Sequence, residues 1–397
     1  MRIVIFCHPS FLGSQSMPRY AHWLAGGMQE RGHEVESWQP KPVFYTLSVP
    51  GFFRKWLGYI DQYILFPIQV RKRIKALSRQ TLFVFADQAL GPWVPLVANR
   101  PHVIHCHDFL AQRSALGEIP ENRTGWTGKS YQAYIRRGYR TGKHFISISN
   151  KTRADLHQFL RTQPPVSAVV YNGVNPVYTP GLAAESRSVL SQRFGIDLSA
   201  GYIVHVGGNQ WYKNRKGVLE IYAVWRKAYE RSLPLLLIGE KPSAELMELA
   251  QASGFQNDIH FLTDVDDQHV VHAYRGAQVF LFPSLAEGFG WPIVEAMACG
   301  CRVVTTDAAP MTEVAGSAAV LLRRKPLDDR DRLIWAGEGA ICLERILNET
   351  PEKRAELIRE GFKNSQRFNS DKALDSVADT YQNILDTYRF TTQTATI

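Results

Sequence analysis

Between residues 279 and 305 the sequence reads Val279-Phe-Leu-Phe-Pro283, then Glu287-Gly-Phe-Gly-Trp-Pro-Ile-Val-Glu295, then Ala-Met-Ala-Cys-Gly-Cys-Arg-Val-Val-Thr. The apolar run has the pattern of a buried parallel strand. Gly288 and Gly290 permit a sharp turn without a Cβ penalty. Pro292 stands where a first helical residue belongs, and Ile293 to Ala298 continues a short helix that Gly300 ends. Glu287 therefore falls on the turn and Glu295 one turn into the helix. The helix N-terminus offers N–H groups and a positive dipole end to an anion, most naturally a phosphate. Two carboxylates beside it accept hydrogen bonds from vicinal hydroxyls. Phosphate donors next to hydroxyl acceptors suit a sugar nucleotide.

A second cluster points the same way. Val204-His-Val-Gly-Gly-Asn-Gln-Trp-Tyr-Lys-Asn-Arg-Lys-Gly217 sets Lys213, Arg215 and Lys216 after a strand and before a helix, with Gly208 in the intervening turn. Compact positive charge suits a diphosphate, and Arg binds it bidentately. Distance from the glycine turn favours Lys213 for the phosphate, with Arg215 as the second cation and Lys216 as the alternative. A merely solvated basic loop is the other reading, weakened by its place at a strand's carboxyl end.

The 287–295 segment resembles the Glu-x7-Glu signature of retaining glycosyltransferases of the family 4 type, which have the GT-B fold. A bare Glu-x7-Glu carries little. Here it sits inside Pro-Ser-x-x-Glu-Gly-Phe-Gly-x-Pro-x-x-Glu-Ala-Met-Ala-x-Gly, which is specific. The resemblance puts Glu287 on the donor sugar and Glu295 on the nucleotide ribose, with Gly288, Phe289 and Gly290 forming the donor turn. It makes Lys213 or Lys216 the phosphate lysine. The chain matches neither usual family arrangement there, because Tyr212 precedes Lys213-Asn214 and the Lys-Gly pair is Lys216-Gly217. The same resemblance implies no metal and no cofactor beyond the nucleoside diphosphate sugar.

Pro101-His-Val-Ile-His-Cys-His-Asp108 ends another strand. His105 on that apolar run reads as a packed core residue. His107 resembles the family's active-site histidine, which contacts the donor sugar or orients the acceptor. Asp108 either holds its tautomer or caps a helix. His8 to Ser16 takes the place of the family's N-terminal glycine-rich loop near acceptor and donor phosphate, although Gly13 is its single glycine. No Gly-x-Gly-x-x-Gly occurs, which disfavours a dinucleotide enzyme.

Length and composition bound the rest. A chain of 397 residues with 45% apolar content has room for two cored domains. Cysteines at 7, 106, 299, 301 and 342 show no metal or disulfide pattern and fit a reducing cytoplasm. Met1-Arg-Ile-Val-Ile-Phe-Cys7 reads as a first core strand rather than a signal peptide. The net charge of +9 is uneven: residues 1–170 hold 22 Lys and Arg against 9 Asp and Glu, +13, and the remainder 24 against 28, −4. The N-terminal half therefore faces something anionic. The stretch from Phe52 to Lys75 mixes Phe, Trp and Tyr with Arg71, Lys72 and Arg73, and reads equally as membrane-interface chemistry or as a core helix with a basic end. No recognised nucleic-acid module accompanies the charge.

Alternating strands and helices run from Ile3 to Tyr171, and a second series from Tyr202 to Thr305. The expected fold is α/β: GT-B, two doubly wound Rossmann-like domains facing an interdomain cleft. The N-terminal acceptor-binding domain is expected over 1–174 and the C-terminal nucleotide-sugar-binding domain over 175–370. A terminal helix over 371–390 has one apolar face and is expected to pack back on the first domain.

The function expected is transfer of a hexose, with retention, from a nucleoside diphosphate sugar to a hydroxyl. The acceptor expected is a lipid-linked saccharide or glycan precursor in cell-surface polysaccharide synthesis, met on the cytoplasmic face of an anionic membrane. The alternatives are a sugar-nucleotide epimerase or phosphorylase on the same fold, and a non-catalytic sugar-nucleotide-binding protein. Nucleotide release on adding an acceptor separates them.

Overall fold

The computed structural model describes residues 1–13 and 16–394. Its contacts divide the chain into two compact units, Met1–Tyr171 with Asp371–Ile397, and Asn172–Ser370.

The first unit is built on strands β1 (Arg2–Phe6), β2 (Glu34–Trp38), β3 (Leu82–Phe85), β4 (His102–Cys106), β5 (His144–Ser147) and β6 (Val166–Val169). They form one parallel sheet in the order β2-β1-β3-β4-β5-β6. The central strands β3 and β4 are buried along their whole length, as expected where helices cover both faces, whereas the edge strand β6 is only partly buried throughout. The second unit repeats the plan with β7 (Ile203–Val206), β8 (Leu235–Ile238), β9 (Ile259–Leu262), β10 (Val279–Phe282), β11 (Val303–Thr306) and β12 (Ala319–Leu322). Its parallel order is β12-β11-β10-β7-β8-β9.

Each sheet grows first to one side and then to the other. The reversal falls between β1 and β3 in the first sheet and between β7 and β10 in the second. The carboxyl ends of those pairs frame the crevices in which doubly wound sheets bind ligands.

Residues 51–74 divide into helix Gly51–Ile60, a π-helical turn Asp61–Leu65 and helix Phe66–Ile74. Phe66 and Val70 are core, while Phe52, Phe53 and Trp56 are exposed. The core expectation thus describes Phe66 and Val70, while the rings at 52, 53 and 56 lie on the surface. Buried Asp61 accepts hydrogen bonds from the backbone N–H groups of Val43, Phe44 and Tyr45, fastening the preceding loop. The 3-10 segment Gln88–Val97, with Pro92 and Pro95 inside it, packs on helix Trp126–Tyr139. A Cβ on Gly138 would lie 2.1 Å from the Gly91 carbonyl oxygen, so only glycine allows that approach.

Helix Ser370–Thr394 buries Leu374, Val377, Tyr381, Ile384 and Leu385. Leu374 fills the space where a Cβ on Gly27 would stand. His105, expected as core, hydrogen-bonds Tyr20 through Nδ1 and Tyr381 through Nε2, both at 2.7 Å. The expected loop His8–Gln15 contains a short 3-10 turn, Ser10–Leu12, closed by Gly13 at φ 70°; Ser14 and Gln15 lie outside the described residues.

Candidate functional site

In the second unit the site begins with the loop after β7. The Gly207 N–H donates to Ile238 O, and a Cβ on Gly239 would lie 2.2 Å from the Gly207 carbonyl oxygen. Gly208 has the Gln210 and Glu240 side chains where a Cβ would go. The loop ends at Asn214, at φ 53°. The Asn214 side chain accepts from Gly217 N–H, capping helix Arg215–Tyr229, and donates to Pro283 O after β10. Tyr212 O in turn accepts from Leu285 N–H and from the Ser284 hydroxyl. These bonds stitch the loop after β7 to the loop after β10, across the reversal of the sheet.

They bring Lys213 and Glu287 together. Lys213 Nζ is 2.8 Å from Glu287 Oε1, which also lies 2.6 Å from Ser284 Oγ. Both side chains are largely buried, and the ammonium lies over the rings of Phe282 and Tyr212. A buried ion pair next to aromatic faces is a strong local field rather than a solvated loop.

Arg215 opens the helix and is buried. Its Nη1 donates to Asn209 Oδ1 and to Glu240 O, while Nε and Nη2 have no partner. Burial lowers its pKa, opposed by the charge of Glu240. Buried guanidinium donors without acceptors are costly unless an anion meets them. His205, under the same loop, donates from Nδ1 to Leu281 O, and burial lowers its pKa to about 3. Lys216 points elsewhere: it pairs with Glu245 on the exposed surface.

The glycine turn follows β10. Gly290 adopts φ 105°, and the helix is Trp291–Ala298, so Pro292 is its second residue rather than its first. Its N-cap is Gly290, which has no side chain to cap this N-terminus. Phe289 is buried against Trp291 and Phe368, so its side chain anchors the turn. Glu295 Oε2 accepts from the hydroxyl of Tyr274, whose pKa is driven well up by burial and then by the Glu295 charge. The Trp291 indole N–H is buried without a partner.

In the first unit, His107 is buried just past β4. Its Nε2 donates to Ala86 O, which leaves Nδ1 as the acceptor. Burial lowers its pKa against the opposing charge of Asp87. Asp108, left open between two roles, accepts from Leu110 N–H at a helix start. Asp87, just beyond β3, is the carboxylate that raises His107, and its Oδ2 lies 2.8 Å from His8 Nε2. Burial pushes the Asp87 carboxyl up, but the hydrogen bond and charge of His8, the charge of His107 and the Ala89 N–H outweigh it and hold it below the usual range.

Sequence reading missed Asp87, Ser284, Asn214 and Tyr274. Asp87-Gln-Ala after an apolar strand carries a visible capping signal, and Asn214 caps Gly217 three residues on; the bonds that Asn214 and Ser284 make between the two loops, and that of Tyr274 to Glu295, are long-range.

Residues 17–178 match the family model for Glycosyltransferase Family 4, and residues 186–328 match that for Glycosyl transferases group 1. The chain carries the two domains of a GT-B glycosyltransferase of the family 4 type. The O-antigen chain mannosyltransferase B of Escherichia coli is 26% identical over 211 residues, 53% of this chain and 54% of that protein. A D-inositol 3-phosphate glycosyltransferase of Saccharomonospora viridis is 27% identical over 70% of this chain and 62% of its own length. The chain thus spans little more than half the length of these relatives. The same GT-B fold is found in the sucrose-phosphate synthase of Thermosynechococcus elongatus, with a TM-score of 0.73 and 16% identity over 98% of this chain and 100% of that one. It recurs in WaaG, a glycosyltransferase involved in lipopolysaccharide biosynthesis (TM-score 0.69, 15% identity, 95% and 98% covered). Anabaena HepE in complex with UDP-glucose shares it too, with a TM-score of 0.68 and 18% identity over 96% and 100%.

Proposed function

We propose that the protein is a retaining glycosyltransferase that moves a hexose from a nucleoside diphosphate sugar to a hydroxyl acceptor. The observation that carries this is the buried Lys213–Glu287 pair across the β7/β10 crevice, with two partnerless Arg215 donors on the same loop. The UDP-glucose complex of HepE and the mannosyltransferase relative support the substrate class.

In this reading the donor diphosphate takes Lys213 as its counter-ion and meets the uncapped helix start at Trp291. The charge that grows on the leaving diphosphate is met by preorganised donors, the largest usual contribution to such catalysis. Glu287, released from Lys213, binds the donor sugar hydroxyls and stabilises positive character at its anomeric carbon. Glu295, oriented by Tyr274, takes the ribose hydroxyls. Gly13, Gly208, Gly288 and Gly290 let the backbone approach the nucleotide, and His107 contacts the donor sugar or orients the acceptor. No side chain stands as an evident covalent nucleophile, so the acceptor attacks the face the diphosphate leaves, and the diphosphate takes its proton. No metal is required by this scheme.

The acceptor proposed is a lipid-linked saccharide of cell-surface polysaccharide synthesis, reached from a cytoplasmic membrane face. Among the described residues no helix is long and apolar enough to cross a membrane, so docking would be peripheral, through the exposed Phe52, Phe53 and Trp56. Thermal shift with UDP, GDP and ADP and their sugar conjugates tests the donor reading: a ligand at 100 times its Kd stabilises by about 2.7 kcal/mol. No shift with any of them would refute it.

A further inference from the structure

The helix that follows the last strand of the second sheet, Asp329–Leu347, is apolar on two sides. One side is core: Trp335, Ala336, Ala340, Leu343 and Ile346 pack in a buried cluster with Val218, Ile221, Tyr222 and Trp225. The other side faces out, and Ile334 and Ile341 on it are each 59% exposed. Between them stands Gly337. Glycine inside a helix is destabilising against alanine, and no close packing requires it here, since a Cβ would meet nothing within 4 Å. Gly339 differs: a Cβ there would lie 2.6 Å from the Ile221 side chain, so packing within the chain accounts for it.

Ile334, Gly337 and Ile341 have the i, i+3, i+7 spacing that lines residues along one face of a helix. Two apolar side chains flanking a bare backbone position let a second helix come close. The charges beside them choose that helix. Asp331, Glu338 and Arg345 recur at every seventh residue, so they lie along one flank of the stripe. An antiparallel copy of the same helix, crossing near Gly337, brings Ile334 to Ile341 and Asp331 to Arg345 at both ends. Asp331 and Arg345 are exposed, and among the described residues neither side chain has an ion-pair partner within the chain. Glu338, which would face its own copy, is already neutralised by Arg323 at 2.5 Å.

We propose that helix Asp329–Leu347 is a self-association surface, through which two copies of the protein pair antiparallel about a two-fold axis near Gly337. The occupant is a second copy because the charge pattern complements itself when the helix is reversed. A parallel copy would put the charged flanks on opposite sides of the stripe and leave both ion pairs unmade. An anionic leaflet fits less well, since Asp328, Asp329 and Asp331 crowd the start of this helix. A helix of 19 residues is about 28 Å long. Alone it buries less than a permanent dimer needs, so micromolar association is expected.

Sedimentation velocity on the full chain decides. From about 1 to 100 µM the wild type should pass from a single chain of 45.0 kDa to a species of twice that mass. Ile341→Glu should weaken association about tenfold or more, without harm to the fold because Ile341 is exposed. Asp331→Arg and Arg345→Asp should each weaken it, and the two together should restore it. Gly337→Cys should cross-link to its own copy under diamide, while the wild type, whose Cys342 lies off the stripe, should not. A monomer over the whole range overturns the proposal. So does a dimer indifferent to Ile341→Glu, a double swap that fails to restore pairing, or a Gly337→Cys that stays uncross-linked. Loss of binding to phosphatidylglycerol vesicles in Ile341→Glu, from a chain that is always monomeric, would give the stripe to a membrane instead.

Discussion

Lys213 and Glu287, 74 residues apart in sequence, close a 2.8 Å ion pair directly over the reversal of the second sheet. His8 Nε2 and Asp87 Oδ2 meet at the same 2.8 Å over the first, as a hydrogen bond. In each unit the base follows the first strand and the carboxylate follows the strand on the far side of the reversal, so topology alone delivers the pair to the crevice.

Lys213→Ala should lower turnover by about 10²–10³, the usual cost of losing a donor aimed at developing charge. Lys216→Ala should leave turnover within about twofold, because Lys216 is engaged on the surface by Glu245. Steady-state kinetics with the donor that gives the thermal shift compares them. The reverse pattern would move the phosphate lysine to 216.

Glu295→Gln should weaken binding of the bare nucleoside diphosphate roughly tenfold or more, since hydrogen bonds to a charged acceptor contribute about 1.5–3 kcal/mol. Glu287→Gln should leave that affinity intact or raise it, because Lys213 loses its competing carboxylate, while turnover collapses. Titration calorimetry separates the two; equal losses would undo the division of labour between the glutamates.

Acid should destabilise both units well above the carboxylate range. Burial lowers His105 and His205 to about 3 and His102 to about 4 from an ordinary 6.5. The unfolded chain therefore binds protons that the folded chain refuses, and stability falls as pH drops from about 6.5 toward those values. Between pH 7 and 5 each such imidazole should cost about 2 kcal/mol. Urea midpoints at the two pH values measure this, and His205→Gln should shrink the shift in the second unit only.

Vesicle sedimentation should show binding that needs anionic lipid and fades with salt, since cations near an anionic leaflet contribute about 1 kcal/mol each. Replacing Phe52, Phe53 and Trp56 by Ser should reduce it most. Replacing Arg73 alone should matter little, because Arg73 is held by Glu36 and lies 4.0 Å over the Trp38 ring. Equal, negligible binding to neutral and anionic vesicles at low salt would end the membrane proposal.

The two sheets were legible because parallel core strands are short apolar runs closed by glycine or polar residues; Val279–Phe282, the apolar run before Pro283, comes out as a strand. The edge strand Ala319–Leu322 did not, since its half-exposed residues lack that contrast. Glu287, Glu295 and Lys213 were visible as a local motif. Asp87 and Tyr274 were not, because their partners are 79 and 21 residues away and nothing local marks the pairing. The same blindness left the 52–75 stretch ambiguous: the turn that divides it is set by Asp61 holding a loop 16 to 18 residues upstream.

Helix Ser370–Thr394 supplies Tyr381 to His105 and Leu374 to Gly27, so the core of the first unit has a gap until that helix arrives. On the ribosome, where domains close in order of emergence, Asn172–Ser370 has every strand and helix it needs before that helix leaves the exit tunnel. The unit whose strands precede those of Asn172–Ser370 is thus completed after it. Until then its half-built face, with Gly27 and His105 uncovered, is the surface that chaperones would have to shield.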